Sequence, residues 1–262
     1  MGRIRSPIGW LVLLALAVTA AVGCSPATTP SAEKRLTIGA ASDLQFALEE
    51  MASLFLREKG VKLDLSIGSS GNLATQIENG APIDVFMSAN EDYVARLQQE
   101  GLIIDNTRQV YAYGYLALAT NRNAGMDTKT LEDLLRPDLK HVAIANPDHA
   151  PYGTAARQAL ERAGIWDQVR PKLVYGENIR QTLQFVQTGN AEAGIIAMSI
   201  VQVPEVTYVP VDTRFYDPLR QTLAVSRKTD HEAEAREFIA FVNGSEGRSL
   251  LNKYGFVLPD ER

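Results

Sequence analysis

Cysteine is nearly absent: of 262 residues, only Cys24 carries a thiol. That excludes an internal disulfide framework and any multi-thiolate zinc or iron–sulfur site. Histidine is almost as scarce, with three in the chain, which leaves little material for a histidine metal cluster. An excess of positive charge is lacking too. Lys and Arg total 26 against 31 Asp and Glu, a net charge of -5, so there is no broad basic field for nucleic acid or anionic lipid. The apolar run from Ile8 to Val22 falls short of the ~20 residues that a membrane-spanning helix needs. The chain as a whole, 45% hydrophobic and 22% charged, has ordinary soluble globular composition. The length suits two domains, each able to bury its own core.

The chain opens with an export signal. Arg3 and Arg5 precede the apolar run, which ends at Ala21-Val22-Gly23-Cys24, the order of a secretory signal peptide with small residues before the cut. The lone cysteine directly after Val-Gly resembles the bacterial lipobox, in which that cysteine is lipidated and begins the mature protein. A plain signal peptide cut elsewhere, with an incidental Cys24, is the competing reading. Removing residues 1–23 deletes two arginines and no acid, so a net charge of -5 becomes -7. Residues 24–34, rich in Ser, Pro, Thr and Ala, read as a flexible tether lifting a folded body off a membrane.

From Leu36 onward strand and helix signals alternate. Strands are expected at Leu36–Ala41, Lys62–Ile67, Ile83–Met87, His141–Ala145, Lys172–Tyr175 and Ala193–Ala197, with helices between them. Leu44, Leu48, Met51, Ala52 and Phe55 share one helical face at spacings of three and four. Such repeated units predict mainly parallel sheets covered by helices on both faces. Two longer strand signals, Val110–Thr120 and Leu219–Ser226, suit a chain that crosses into a second lobe and returns. The expected division is lobe I at 35–112 and 221–262, and lobe II at 113–220.

Four segments share one chemical plan: Ala40-Ala41-Ser42-Asp43, Gly68-Ser69-Ser70-Gly71-Asn72, Ala150-Pro151-Tyr152-Gly153-Thr154 and Gly176-Glu177-Asn178-Ile179. Each follows a predicted strand and opens a predicted helix. The first helical turn leaves N–H groups without intrahelical partners and carries partial positive charge, so it accepts an anion without a basic side chain. In open parallel sheets the ligand crevice lies at the carboxyl ends of strands. Two such segments from each lobe would cage a small oxyanion. Local readings stay open beside this one: Ser42 and Gln45 match a capping box, Gly-Ser-Ser-Gly fits a plain turn, Pro151 simply opens a helix, and Asn178 caps a helix whose apolar face begins at Ile179.

The stretches AASDLQFALEEMASLF, GSSGNLATQIENGAPIDVFMSAN, ANPDHAPYGTAARQALERAGIWD and LNKYGFVLP resemble the substrate-binding proteins of bacterial molybdate ABC transporters, over nearly the whole span from Leu36 to Pro259. The resemblance implies an α/β type II periplasmic-binding-protein fold, two lobes joined by a two-strand hinge. It implies capture of molybdate or tungstate between the lobes through hydroxyl and backbone N–H donors, delivery to a membrane permease, no cofactor and no catalytic residue. Carried over by position, Ser42 and Ser70 would donate hydroxyls and amides, and Tyr152 and Ile179 their backbone N–H groups. Asp43 stands where some relatives carry an amide-bearing ligand residue; its N–H could face the anion, with its carboxylate pointing away. No side chain is expected to ligate molybdenum itself. One departure is plain: the tyrosine whose hydroxyl completes the cage in some relatives falls here at Ala197.

A donors-only cage suits a fully deprotonated dianion, because a protonated phosphate would leave its proton without an acceptor, at about 1–3 kcal/mol. The expected protein is thus a monomeric envelope lipoprotein, anchored through Cys24 and not an enzyme. The rivals are a receptor for sulfate, thiosulfate or phosphate, and an envelope enzyme acting on phosphate or sulfate esters. Against the enzyme, Ser69 and Ser70 lack a nucleophile-elbow arrangement. His149 beside Asp148 has too few companions for a metal site.

Overall fold

A computed structural model describes Gly2 and residues 33–261. The signal segment, the lipobox with Cys24 and nearly all of the tether lie outside the described residues. The body from Glu33 onward is one compact unit.

It contains two five-stranded sheets. The first is built from β1 (Lys34–Ala41), β2 (Val61–Gly68), β3 (Val85–Ser88), β4 (Gln109–Gly114) and β10 (Leu219–Val225), in the order β2-β1-β3-β10-β4. The second holds β5 (Leu116–Asn121), β6 (Val142–Ala145), β7 (Leu173–Gly176), β8 (Ala193–Ala197) and β9 (Val206–Pro210), in the order β7-β6-β8-β5-β9. β1 pairs in parallel with β2 and β3, and β6 with β7 and β8. Each sheet is nonetheless more mixed than the sequence pattern predicts. β10 runs antiparallel to β3 and β4, and β5 antiparallel to β8 and β9. β5 enters the second sheet and β10 returns to the first, each seated between two strands; a crossing strand arrives without a helix to reverse it, so it runs against its neighbours.

Val110–Thr120 is therefore two strands, not one. β4 and β5 belong to different sheets with Tyr115 alone between them. The return passage is the stretch 211–218. Gly114, at the end of β4, pairs with Leu219 at the start of β10. A Cβ at Gly114 would collide with the Tyr152 hydroxyl and the Gln221 side-chain amide, so only glycine fits.

Helices cover both faces of the first sheet. α1 (Gln45–Lys59), α7 (Glu232–Asn243) and α8 (Ser245–Lys253) share one core, where Phe55 meets Phe238 and Phe241 edge-to-face at 5.3 and 5.4 Å. α2 (Ser70–Glu78) and α3 (Glu91–Gln99) close the other face around Leu73, Ile77, Phe86 and Leu97. α4 (Pro151–Arg162), α5 (Trp166–Val169) and α6 (Ile179–Gln187) pack on the second sheet. In α6 the buried residues Ile179, Thr182, Leu183 and Val186 recur at helical spacing. Among the described residues no helix is long and apolar enough to cross a membrane.

Candidate functional site

The carboxyl ends of β1, β2, β6 and β7 face one another across the two sheets, and each leads into a helical turn. Two of these turns begin earlier than the periodicity predicts: α2 starts at Ser70 and α4 at Pro151. In α2 the apolar face begins only later, at Leu73, and that later start misplaces the boundary; in α4 Tyr152 is already buried in the first turn, but Pro151 and Gly153 beside it interrupt the helical pattern. Ser70 is thereby a first-turn residue, as are Tyr152 in α4 and Ile179 in α6. Ser42 opens a short 3-10 turn, Ser42–Leu44, that runs into α1.

A single cavity between the sheets is lined by all five residues singled out from the sequence, Ser42, Asp43, Ser70, Tyr152 and Ile179, with Ala41, Gly68, Ser69, Ala89, Ala150 and Pro151. Its volume is about 10 Å³. That is the space of about one water, less than a tetrahedral oxyanion fills, so the cleft must widen to admit one. None of these lining side chains is a cation. The neighbouring Arg180 turns its guanidinium onto the Phe46 ring, 5.2 Å from the centroid, and donates to Gln187 Oε1 at 2.9 Å.

The hydrogen bonds decide which groups remain to hold a ligand. Ser70 Oγ accepts from the Ala89 N–H at 3.0 Å, and Ser42 Oγ accepts from the Arg180 N–H at 3.4 Å. Both hydroxyls thus have an acceptor lone pair engaged, leaving the O–H to donate. Ser42 does not cap its own helix: neither its 3-10 turn nor α1 has a side-chain cap bond. In α6, Asn178 Oδ1 caps the N–H groups of Arg180 and Gln181 at 3.0 Å each, and its carbonyl takes Thr182 N–H. Ile179 N–H finds no acceptor among the described residues. In α4, Pro151 has no N–H, while Gly153 and Thr154 donate to the Ala150 carbonyl at 2.8 and 3.0 Å. Tyr152 N–H is the one left over.

Ala197 is not among the lining residues. Two residues further on, Ser199 Oγ reaches across to donate to the Asp43 carbonyl at 2.9 Å. The Asp43 side chain is 1% exposed. Its Oδ2 accepts from Gln221 Nε2 at 2.8 Å, and its Oδ1 has no hydrogen-bond partner. Gln221 also donates to the Tyr152 hydroxyl at 3.3 Å and accepts from the Tyr111 hydroxyl at 3.4 Å. Burial pushes the Asp43 carboxyl up to about 7, opposed in part by the Tyr152 hydroxyl and the Gln221 amide. Burial likewise raises Tyr111 and Tyr152 well above the usual phenol range, so both rings stay neutral.

Sequence reasoning missed Gln221, Ser199 and the part played by His149. Gln221 had only a weak signal: it is a fully buried amide in the strand LRQTLAV, where Arg220 and Thr222 flank it and mask it. His149 forms a clasp across the cleft. Its Nδ1 lies 2.9 Å from Ser69 Oγ, its carbonyl accepts Gly71 N–H at 2.9 Å, and its Nε2 is 3.6 Å from Glu177. Glu177 in turn accepts from Asn72 at 2.7 Å. A Cβ at Gly71 would meet the His149 carbonyl at 2.7 Å, so the lobes approach this closely only over glycine. Among the described residues no group of three His, Cys, Asp or Glu could hold a metal ion.

The family of bacterial extracellular solute-binding proteins matches residues 36–257. The chain belongs to this family. Within it, the solute-binding protein is 33% identical over 231 residues to the molybdate-binding protein ModA of Rhodobacter capsulatus, covering 87% of this chain and 90% of that one. It is 31% identical to the putative ABC transporter substrate-binding lipoprotein YvgL of Bacillus subtilis strain 168, over 90% and 92% of the two chains. The solved periplasmic molybdate-binding protein of Azotobacter vinelandii superposes with a TM-score of 0.81 at 28% identity, covering 86% of this chain and 99% of that one. The two-lobed binding-protein architecture is therefore shared.

Proposed function

We propose that this protein captures molybdate or tungstate outside the cytoplasm, in the cleft between its lobes, and presents the closed form to an ABC permease. One observation carries the reading: four donors with no acceptor of their own, the hydroxyls of Ser42 and Ser70 and the N–H groups of Tyr152 and Ile179, line one cavity without a cationic side chain. Such a set satisfies a dianion's oxygens, while a protonated anion would leave its own donor unpaired. Similarity to molybdate-binding proteins over about nine-tenths of the chain supports the choice of ion. Backbone donors at Tyr152 and Ile179 place the second lobe's share of the site beyond side-chain identity.

Closure turns on the two passages between the sheets, with lobe I keeping β4 through Gly114 and β10 from Leu219, two residues beyond the expected bounds of 35–112 and 221–262, and lobe II the residues between. The protein acts by binding, not by catalysis, and as a monomer. Cys24 anchors it through a lipid on the extracytoplasmic face, as the name of the Bacillus relative suggests for that protein. Thermal shift against sodium molybdate, tungstate, sulfate, thiosulfate and phosphate tests the central claim. An anion at a hundred times its dissociation constant adds about 2.7 kcal/mol to stability. Stabilisation by phosphate with none by molybdate or tungstate would refute the reading, and turnover of a generic phosphoester would favour an enzyme. Retention of a Cys24→Ser variant at the membrane would refute the anchor.

A further inference from the structure

We propose that closure of the lobes around the oxyanion takes up a proton at Asp43, so that the dianion is captured together with a proton. This rests on the anion-capture reading above and adds to it a chemical linkage.

Asp43 directly follows Ser42 and lines the anion cavity, yet its carboxyl is sealed off from water by elements of both lobes. From β10 comes Gln221, whose amide donates to Oδ2 at 2.8 Å. From α4 comes the Tyr152 phenol, and from β4 the Tyr111 phenol, both neutral. From the turn after β8, Ser199 holds the Asp43 carbonyl. The cation nearest in sequence to the site, Arg180 of α6, spends its guanidinium on Phe46 and Gln187. His149 spends its ring on Ser69 and Glu177. An ionised Asp43 would therefore be a buried charge held by neutral groups alone, the Gln221 amide and the Tyr152 hydroxyl, with one oxygen, Oδ1, unpartnered. A dianion held beside it would add repulsion. Protonation removes both costs.

The sign follows from which state buries the group. Tyr152 and Ser199 belong to the opposite lobe, so parting the lobes returns the carboxyl to water and to an ordinary value near ~4. In the closed form burial pushes it up to about 7. An acid whose value rises on closure penalises closure increasingly as pH climbs from about 4 to about 7, and the penalty is constant above. The bound dianion moves the upper end of that window higher still. Affinity should thus gain at least about tenfold between pH ~8 and pH ~6.

Isothermal titration of the exported chain with sodium molybdate at pH ~6.5, in two buffers of different ionisation enthalpy, counts the protons. The proposal expects uptake of more than about half a proton per anion, the same with tungstate, and none with Asp43→Asn, whose affinity is flat across that pH range. Infrared difference spectra of the unaltered protein give a second measure that does not depend on the variant folding: molybdate addition should produce a protonated-carboxyl band. Molybdate binding with no proton uptake and no such band, or with equal uptake in Asp43→Asn, would overturn the proposal while leaving the capture reading standing. Absence of binding by any oxyanion at any pH would overturn the capture reading and this linkage with it.

Discussion

The two lobes contribute to the cavity in different currencies. Lobe I offers side-chain hydroxyls, Ser42 and Ser70, each oriented by a backbone N–H that occupies its oxygen. Lobe II offers main-chain N–H groups, at Tyr152 and Ile179, left over after neighbouring donors are satisfied by Ala150 and Asn178. A hydroxyl is written in the sequence and can be deleted by one substitution. An N–H is present at nearly every residue, and only the helix start and its cap select which one stays free.

Substitutions can break this comparison. Ser70→Ala should have the largest effect. It removes a hydrogen bond to a charged ligand, about 1.5–3 kcal/mol, and also strands the buried Ala89 N–H, at a further ~1–3 kcal/mol of fold stability. Calorimetry should read a loss of roughly tenfold to over a hundredfold in molybdate affinity, and thermal denaturation a lower Tm without ligand. Ser42→Ala should match the affinity loss with little change in that Tm, because Arg180 N–H keeps its bond to Asn178. Equal Tm losses in the two variants would contradict the hydrogen-bond pattern described.

For lobe II the matching deletion is Ile179→Pro. Proline is tolerated at the first helical position and lacks the N–H, and Asn178 already has the extended backbone (φ -152°, ψ 173°) that a following proline requires. Affinity should fall by about 1.5–3 kcal/mol, while circular dichroism shows the helix intact. Undiminished binding would remove Ile179 from the site.

Smaller effects are expected outside the donor set. His149→Ala opens the clasp to Ser69 and should speed molybdate release by roughly twofold to tenfold in stopped-flow measurements, on the scale of one net hydrogen bond at about 0.5–1.5 kcal/mol. Arg180→Gln should change affinity least, since the guanidinium points away onto Phe46. A tenfold loss there would mean that a cation does assist the anion.

Much of this was legible beforehand for reasons specific to particular segments. Leu44, Leu48, Met51 and Phe55 keep helical spacing because one face of α1 must be buried. β9 was not foreseen: Val206–Pro210 is a half-exposed five-residue strand whose partner, β5, is more than eighty residues away. The split of Val110–Thr120 was equally invisible, since a continuous apolar run fits a strand in one sheet or two.

By itself the amino-acid sequence determined the alternation of strands and helices, the serines at the helix starts, and the scarcity of thiols and histidines; these follow from local periodicity and composition, which need no knowledge of distant partners. Only the tertiary structure decided that four helix starts meet in one cavity, that Ala89 and Arg180 aim the two hydroxyls, and that Asp43 is buried with Oδ1 unpartnered. Each of these depends on groups far apart along the chain, and burial and free lone pairs exist only once those groups have been packed together.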